Sequence, residues 1–164
     1  MIDQLNIRLF RREDGAALAD VHRRAILSTR HGAYSGEDLE SWAYGLRDDG
    51  YADSILLGEL IEVAVDESNV PVAFCARTDT EILAIYTHPE AQRRGIGTGL
   101  LARAEIALGE PGVEISRVRS SLGAENFYLR NGYVREDVGI WTTRGGRSLD
   151  VLHMIKPLAD VPHV

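Results

Sequence analysis

Residues 85–101, Ile-Tyr-Thr-His-Pro-Glu-Ala-Gln-Arg-Arg-Gly-Ile-Gly-Thr-Gly-Leu-Leu, have the composition of an anion site. They read as an apolar strand, a proline stop, a glycine loop and a helix start. Gly95 and Gly97 let backbone come close to a ligand. The first N–H groups of the following helix lack intrahelical partners and carry the positive end of its dipole. Arg93 and Arg94 add mobile positive charge beside them. A pyrophosphate is the kind of group such a loop grips. Turns and helix caps also use glycine for purely steric reasons, so context must decide.

Rival chemistries for the loop fail on that context. A dinucleotide-binding fold places its loop after the first strand of a parallel βαβ unit, whereas here an antiparallel meander comes first. Leu100 also stands where G-x-G-x-x-G needs a third small residue. No G-x-x-x-x-G-K-[ST] run occurs. His22, His31, His88, His153 and His163 show no i, i+4 pairing and no C-x-x-C is present, so no metal site is expected. These histidines read as surface or individually satisfied residues. Cys75, inside the apolar run Val72-Ala73-Phe74-Cys75-Ala76, reads as a small buried hydrophobe rather than a reactive thiol.

The elements that must position the loop follow from periodicity and punctuation. Ile7 and Leu9 suggest a short opening strand, and Ala16, Leu18, Val21, Ala25 and Ile26 a helix running to about Ser28. Ser35-Gly36-Glu37-Asp38 has capping-box spacing and predicts a second helix with Leu39, Trp42 and Leu46 along one side. Strands are expected over residues 60–65, 72–77 and 81–87, joined by turns at Ser68-Asn69 and Thr78-Asp79 that are short enough to force antiparallel pairing. A helix over 97–108, closed by Gly109 and Pro111, precedes a strand at 113–118 and a short helix at 124–131. Residues 133–142 and 147–155 form a terminal hairpin turned at Gly145-Gly146. The order is β α α β β β α β α β β. Its apolar hairpin residues Ile140, Trp141, Val151 and Leu152 suit a homodimer interface as readily as a core.

At 164 residues the chain suits a single domain, 1–164, large enough to bury a core without disulfides or metal. Residues 1–4 show no basic flank with an apolar stretch behind it, and no run approaches membrane-spanning length. A soluble, cytoplasmic protein with no membrane partner is expected. A net charge of -7 opposes nonspecific nucleic-acid binding. The same charge is compatible with a cationic acceptor, although a solubilising surface explains it more simply.

Gln92-Arg93-Arg94-Gly95-Ile96-Gly97 fits Q/R-x-x-G-x-G/A after a strand ending in Thr-His-Pro, and Ala124-Glu125-Asn126-Phe127-Tyr128-Leu129-Arg130-Asn131-Gly132-Tyr133 fits A-x-x-F-Y-x-x-x-G-F/Y. The pair, in this order and spacing over residues 80–135, resembles the GCN5-related N-acetyltransferase (GNAT) superfamily. The resemblance implies a mixed α/β (α+β) fold whose mostly antiparallel twisted sheet is splayed between its fourth and fifth strands, with flanking helices. It also implies acetyl-CoA as co-substrate. Gln92, Arg93, Arg94, Gly95, Ile96, Gly97 and Thr98 would hold its pyrophosphate. Ile85, Tyr86 and Thr87 would line the pantetheine arm with backbone groups, one of them facing the thioester oxygen.

The implied reaction is direct attack by a primary amine of a small molecule, peptide or protein. No cysteine or serine has a matched base partner for an acyl-enzyme. Tyr128 matches the family's tyrosine near the sulfur, where a phenol can protonate the departing thiolate; an aromatic that packs the short helix onto the sheet fits the same position. Glu81, eleven residues before Gln92 as in histone-type members, is the candidate base, and a solvated residue opening a strand is the other reading. Ser121 stands seven residues before Tyr128, where relatives often carry asparagine; its shorter hydroxyl still donates and accepts, and weaker cofactor binding is expected. Asn126 points away from the tyrosine's side of the helix and does not replace it.

Acceptor specificity in the family lies with residues 28–49 and the terminal hairpin. Tyr34, Trp42 and Tyr44 suit a pocket, and Glu37, Asp38 and Glu40 suit a cation, while a helix with a solvated acidic face explains the same residues. A non-catalytic acyl-CoA-binding or regulatory domain with the same fold is the alternative function.

Overall fold

The computed structural model describes residues 6–29 and 32–159; residues 1–4, His31 and His163, considered above, lie outside the described residues. Seven strands form one sheet in the order β1-β2-β3-β4-β5-β7-β6. They are β1 (Asn6–Leu9), β2 (Leu60–Val65), β3 (Pro71–Arg77), β4 (Ile82–Thr87), β5 (Ile115–Ser121), β6 (Val134–Thr142) and β7 (Ser148–Pro157). The helices are α1 (Gly15–Leu27), α2 (Gly36–Ala43), α3 (Gly50–Leu56), α4 (Ile96–Gly109) and α5 (Glu125–Arg130).

The first four strands pair antiparallel; β1 reaches β2 through helices α1 to α3, while β2 to β4 form a meander set by local turn chemistry. Between β2 and β3 the Asp66 carboxylate accepts from the N–H groups of Ser68 (2.8 Å) and Val70 (3.0 Å), while Asn69 takes φ 62°. Between β3 and β4 the Thr78 hydroxyl accepts from the backbone of Thr80 and Glu81. After β4 the chain crosses through α4 and returns parallel as β5, but the ladder between these two strands is one rung, Ile82 opposite Val118. The expected splay is therefore present, and the strands part toward Thr87 and Ser121.

Each face of the sheet has its own core. On one, Leu100, Leu101, Ala104 and Leu108 of α4 join Ala73, Cys75, Ile82, Val118, Tyr128, Tyr133 and Met154. Tyr133 ties three elements there: its hydroxyl shares a bond with Ser116 of β5 (2.7 Å) and donates to Glu105 of α4 (3.1 Å). Cys75 is buried here, and burial pushes its thiol up to about 12, which makes it inert as a nucleophile. The other face carries Leu18 and Val21 of α1 and Tyr51 of α3 against Ile61, Val63 and Phe74. Leu39 and Trp42 of α2 extend that layer to Ile26 and Leu149.

Two departures from the sequence pattern have local causes. Helix α3 has no apolar stripe to announce it: Tyr51 is buried while Leu56 and Leu57 are exposed. Helix α2 ends at Ala43, so Leu46 reaches the same cluster as Leu39 and Trp42 from the following loop. The capping box itself forms, with Ser35 Oγ accepting from Asp38 N (3.1 Å) and the Asp38 carboxylate from Ser35 N (3.0 Å). In the terminal hairpin Leu149, Val151 and Leu152 belong to the core, whereas Ile140 is exposed on the edge strand β6. No helix among the described residues is long and apolar enough to cross a membrane.

Candidate active site

The glycine loop is shaped by its own short-range contacts. His88 Nδ1 accepts from Glu90 N (3.1 Å) at the single helical turn Pro89–Ala91 that ends β4. Gln92 Nε2 reaches back to the Thr87 carbonyl (3.4 Å), folding the loop onto the strand. Arg93 and Gly95 take φ 65° and 78°. Left-handed backbone is free for glycine and costs arginine about 1 kcal/mol, and strain of this kind is held where the loop's shape matters. The first bond of α4 runs from Gly99 N to Gly95 O (3.0 Å) and no side chain caps the helix start. The N–H groups of Ile96, Gly97 and Thr98 precede that bond and are left for an anion. Arg93 and Arg94 are exposed beside them and form no ion pair among the described residues. Gly97 has a second reason to be small: a Cβ there would sit 3.2 Å from the Phe127 ring of α5.

Where β4 and β5 part, a cleft of about 320 Å³ opens on the α1–α3 side of the sheet. The β4 residues Ile85 and Tyr86 and the β5 residue Ser121 line it, so these expected site residues meet at the seam. Thr87 lies at the end of β4 with its hydroxyl turned toward Gly97. Asn126 is exposed on α5. The walls are aromatic. Tyr86 stacks on His22 at 4.2 Å between centroids, and Trp42 meets both Tyr34 (5.9 Å) and Trp141 (6.0 Å) edge on. The Tyr34 hydroxyl accepts from Leu122 N (3.1 Å) and donates to Asp150 O (2.6 Å), fastening the loop before α2 to both β5 and β7.

Tyr128 closes the bottom of the cleft. Its ring is buried against Phe127 and Tyr133 at 5.0 and 5.5 Å. Its hydroxyl has no protein hydrogen-bond partner among the described residues, and burial raises its pKa, so it holds its proton at neutral pH. Glu81 does not line this cleft. It borders an adjoining hollow with Arg117, Glu136 and His153, which shares only Leu83 and Arg119 with the main one. Spacing in sequence located the start of β4 correctly and could not report into which hollow its first side chain opens.

Several groups in the cleft had no signal in the sequence. Glu59, just before β2, lines it half-buried, with its pKa raised by burial. His22 shares a hydrogen bond with the Tyr51 hydroxyl (3.0 Å), and burial lowers its pKa to about 3, so the imidazole is neutral. Arg119 of β5 lies over the Trp141 ring at 5.3 Å, and Arg144 reaches in from the β6–β7 turn. The alternation of β5, with Ser116, Val118 and Ser120 buried, was the one available hint that Arg119 faces the opposite side. Tyr44 is exposed outside the cleft. The acidic residues of α2 are engaged elsewhere: Glu37 and Asp38 pair with Arg147, and Glu40 with Arg23. His153 is held by Asp137, and among the described residues no group of three or more His, Cys, Asp or Glu is placed to hold a metal.

Comparison with known proteins agrees with this geometry. The acetyltransferase (GNAT) domain family matches residues 57–135. A spermidine N(1)-acetyltransferase of Thermoplasma acidophilum is 29% identical over 153 residues, spanning 81% of this chain and 90% of its own. A peptidyl-lysine N-acetyltransferase of Salmonella typhimurium is 28% identical, spanning 79% and 83%. Among solved structures, a GCN5-related N-acetyltransferase from Rhodopseudomonas palustris superimposes with a TM-score of 0.87 at 28% identity, covering 96% of this chain and 98% of that one. The PaiA N-acetyltransferase of Thermoplasma acidophilum in complex with coenzyme A shares the fold, with a TM-score of 0.72 at 24% identity over 94% and 99% of the two chains. A sheet parted between β4 and β5, an uncapped helix behind a Q-x-x-G-x-G loop and a buried tyrosine at the parting go together with these matches, and the chain belongs to the GCN5-related N-acetyltransferase superfamily.

Proposed function

We propose that the protein transfers the acetyl group of acetyl-CoA to a primary amine by direct attack. The observation that carries this reading is the single β4–β5 rung with Tyr128 beneath the gap. Residues Gln92 to Thr98 receive the pyrophosphate on backbone N–H groups, with Arg93 and Arg94 adding charge. Ile85, Tyr86 and Thr87 offer the unpaired edge of β4 to the pantetheine arm, and Ser121 offers its hydroxyl from across the gap. Acetyl-CoA supplies an activated acyl group, so that an N–C bond forms as the C–S bond breaks.

The amine must first lose a proton. Glu59 is the base in this reading, because it alone of the cleft's lining is a carboxylate and because burial raises its pKa toward that of an efficient acceptor. Glu81, which the family spacing singles out, serves only through water from the adjoining hollow. Tyr128 then gives its phenolic proton to the CoA thiolate, and its raised pKa keeps it protonated until that moment. Activity should therefore persist as pH rises through the ordinary phenol range near ~10 instead of falling there. The spermidine and peptidyl-lysine activities of the relatives support an amine acceptor in general.

Tyr128→Phe tests the reading. Turnover with a panel of amines, followed by CoA release, should fall roughly 100- to 10,000-fold, as loss of a general acid does, while calorimetric binding of acetyl-CoA persists. Binding without turnover by the unaltered protein on any amine would instead favour the non-catalytic acyl-CoA-binding domain.

A further inference from the structure

We propose that the acceptor carries a carboxylate as well as its amine, in the manner of an amino acid, and that Arg119 and Arg144 hold that carboxylate; this rests on the acetyltransferase reading above. Neighbouring arginines are already satisfied. Arg117, two residues before Arg119 on the same strand face, is paired with Glu136 at 2.9 Å. Arg147, three residues after Arg144, is paired with Asp38 at 2.7 Å and Glu37 at 3.3 Å. Arg119 and Arg144 line the cleft and, among the described residues, have no carboxylate within ion-pair distance.

Both side chains are solvent-exposed while lining the cleft. Arg119 lies over the Trp141 ring at 5.3 Å, a cation–π contact that leaves its N–H groups without a protein partner among the described residues. Arg144 extends from the tight turn closing β6 and β7, and its charge is felt by His22, Tyr51, Glu59 and Tyr86 across the cleft. A planar fork of donors against an aromatic wall suits a carboxylate, which it can bind with two parallel bonds.

The charge count disfavours the opposite acceptor. The cleft lining holds two arginines against one carboxylate, Glu59, and His22 is neutral. The acidic residues of α2 are paired with Arg23 and Arg147 outside it. A polyamine would meet a cleft whose lining is net positive. A zwitterion meets a matching arrangement, its ammonium toward Glu59 and its carboxylate toward the arginines. This reading departs from the spermidine activity named for a relative of 29% identity.

The test compares acetyl-CoA-dependent CoA release with the common L-amino acids, with their C-terminal amides and with spermidine. At least one free acid should exceed its own amide in kcat/KM by about tenfold or more, the effect of hydrogen bonds between charged groups. R119Q and R144Q should each raise KM for that acid and bring the acid-to-amide ratio toward one, and R144K should restore part of it. Amides or spermidine turned over as well as any acid, no acid turned over at all, or a ratio that survives both substitutions would overturn the proposal. Loss of acetyl-CoA binding in the unaltered protein would instead remove the acetyltransferase reading beneath it, and the calorimetric titration separates the two failures.

Discussion

The two sides of the parted sheet are built from different materials. On the α4 side, the candidate anion site is main chain: a continuous run from Gln92 to Thr98, two left-handed residues and an uncapped helix. On the α1–α3 side, the cleft is side chain, drawn from α1, α2, α3 and α5, from strands β2 to β7 and from the loops before β2 and between β6 and β7. Backbone recognition binds a group common to every reaction in a superfamily and ties few side chains down. Side-chain recognition from many separate elements can change one contact at a time. On the proposed function, the first side suits a constant ligand and the second a particular one.

That contrast can be broken most severely at the point where the sides meet. Tyr128→Phe should remove two to four orders of magnitude from turnover and leave acetyl-CoA affinity nearly intact; equal losses in both would place Tyr128 wholly in the packing of α5. A smaller effect, roughly 100-fold in kcat/KM, is expected for Glu59→Gln, against less than about threefold for Glu81→Gln. The reverse ranking would return the base to the start of β4. On the backbone side, Gly95→Val puts a β-branched residue at φ 78° in otherwise open space, so acetyl-CoA should bind about tenfold more weakly with little loss of packing. If turnover changed while calorimetric affinity held, the loop would not be the anion site.

The smallest effect concerns stability. His22 is held neutral in the folded state with its pKa lowered from 6.5 to about 3, so below pH 6.5 the unfolded chain takes up a proton that the folded chain refuses. Stability should fall with acidification by up to about 1.4 kcal/mol per pH unit in that window, as read from urea unfolding at several pH values. His22→Phe should flatten the slope. Asp14, whose pKa is lowered by its Arg8 and Arg11 contacts despite the opposing effect of burial, adds its own loss only nearer its ordinary value of 3.8.

The same division explains what could be read from the sequence. Turn chemistry and strand alternation between Leu60 and Thr87 are local, so the antiparallel meander was legible, while the register shifts at Ala64/Val65 and Ala76/Arg77 were not. The loop was legible because its shape resides in glycine and in adjacency. Tyr128 was found by its motif, which also fixes the Gly132 turn that delivers Tyr133 to Ser116 and Glu105. Glu59, Arg119 and Arg144 were not, because nothing local distinguishes a charged residue that faces a cleft from one that faces solvent. Helix α3 escaped because it buries one side chain and has no period to detect.

The sheet's order also divides the chain in time as well as in space. Strands β1 to β4 lie on one side of the Ile82–Val118 rung and β5 to β7 on the other, so the polypeptide crosses the seam once, through α4. Each half is a contiguous stretch of sequence, and the turn at residues 110–112 that separates them is exposed. During synthesis the first half can complete its meander before the second emerges. A ligand laid along the seam would join two halves that the backbone links only by this one passage, acting as a rivet between separately formed parts.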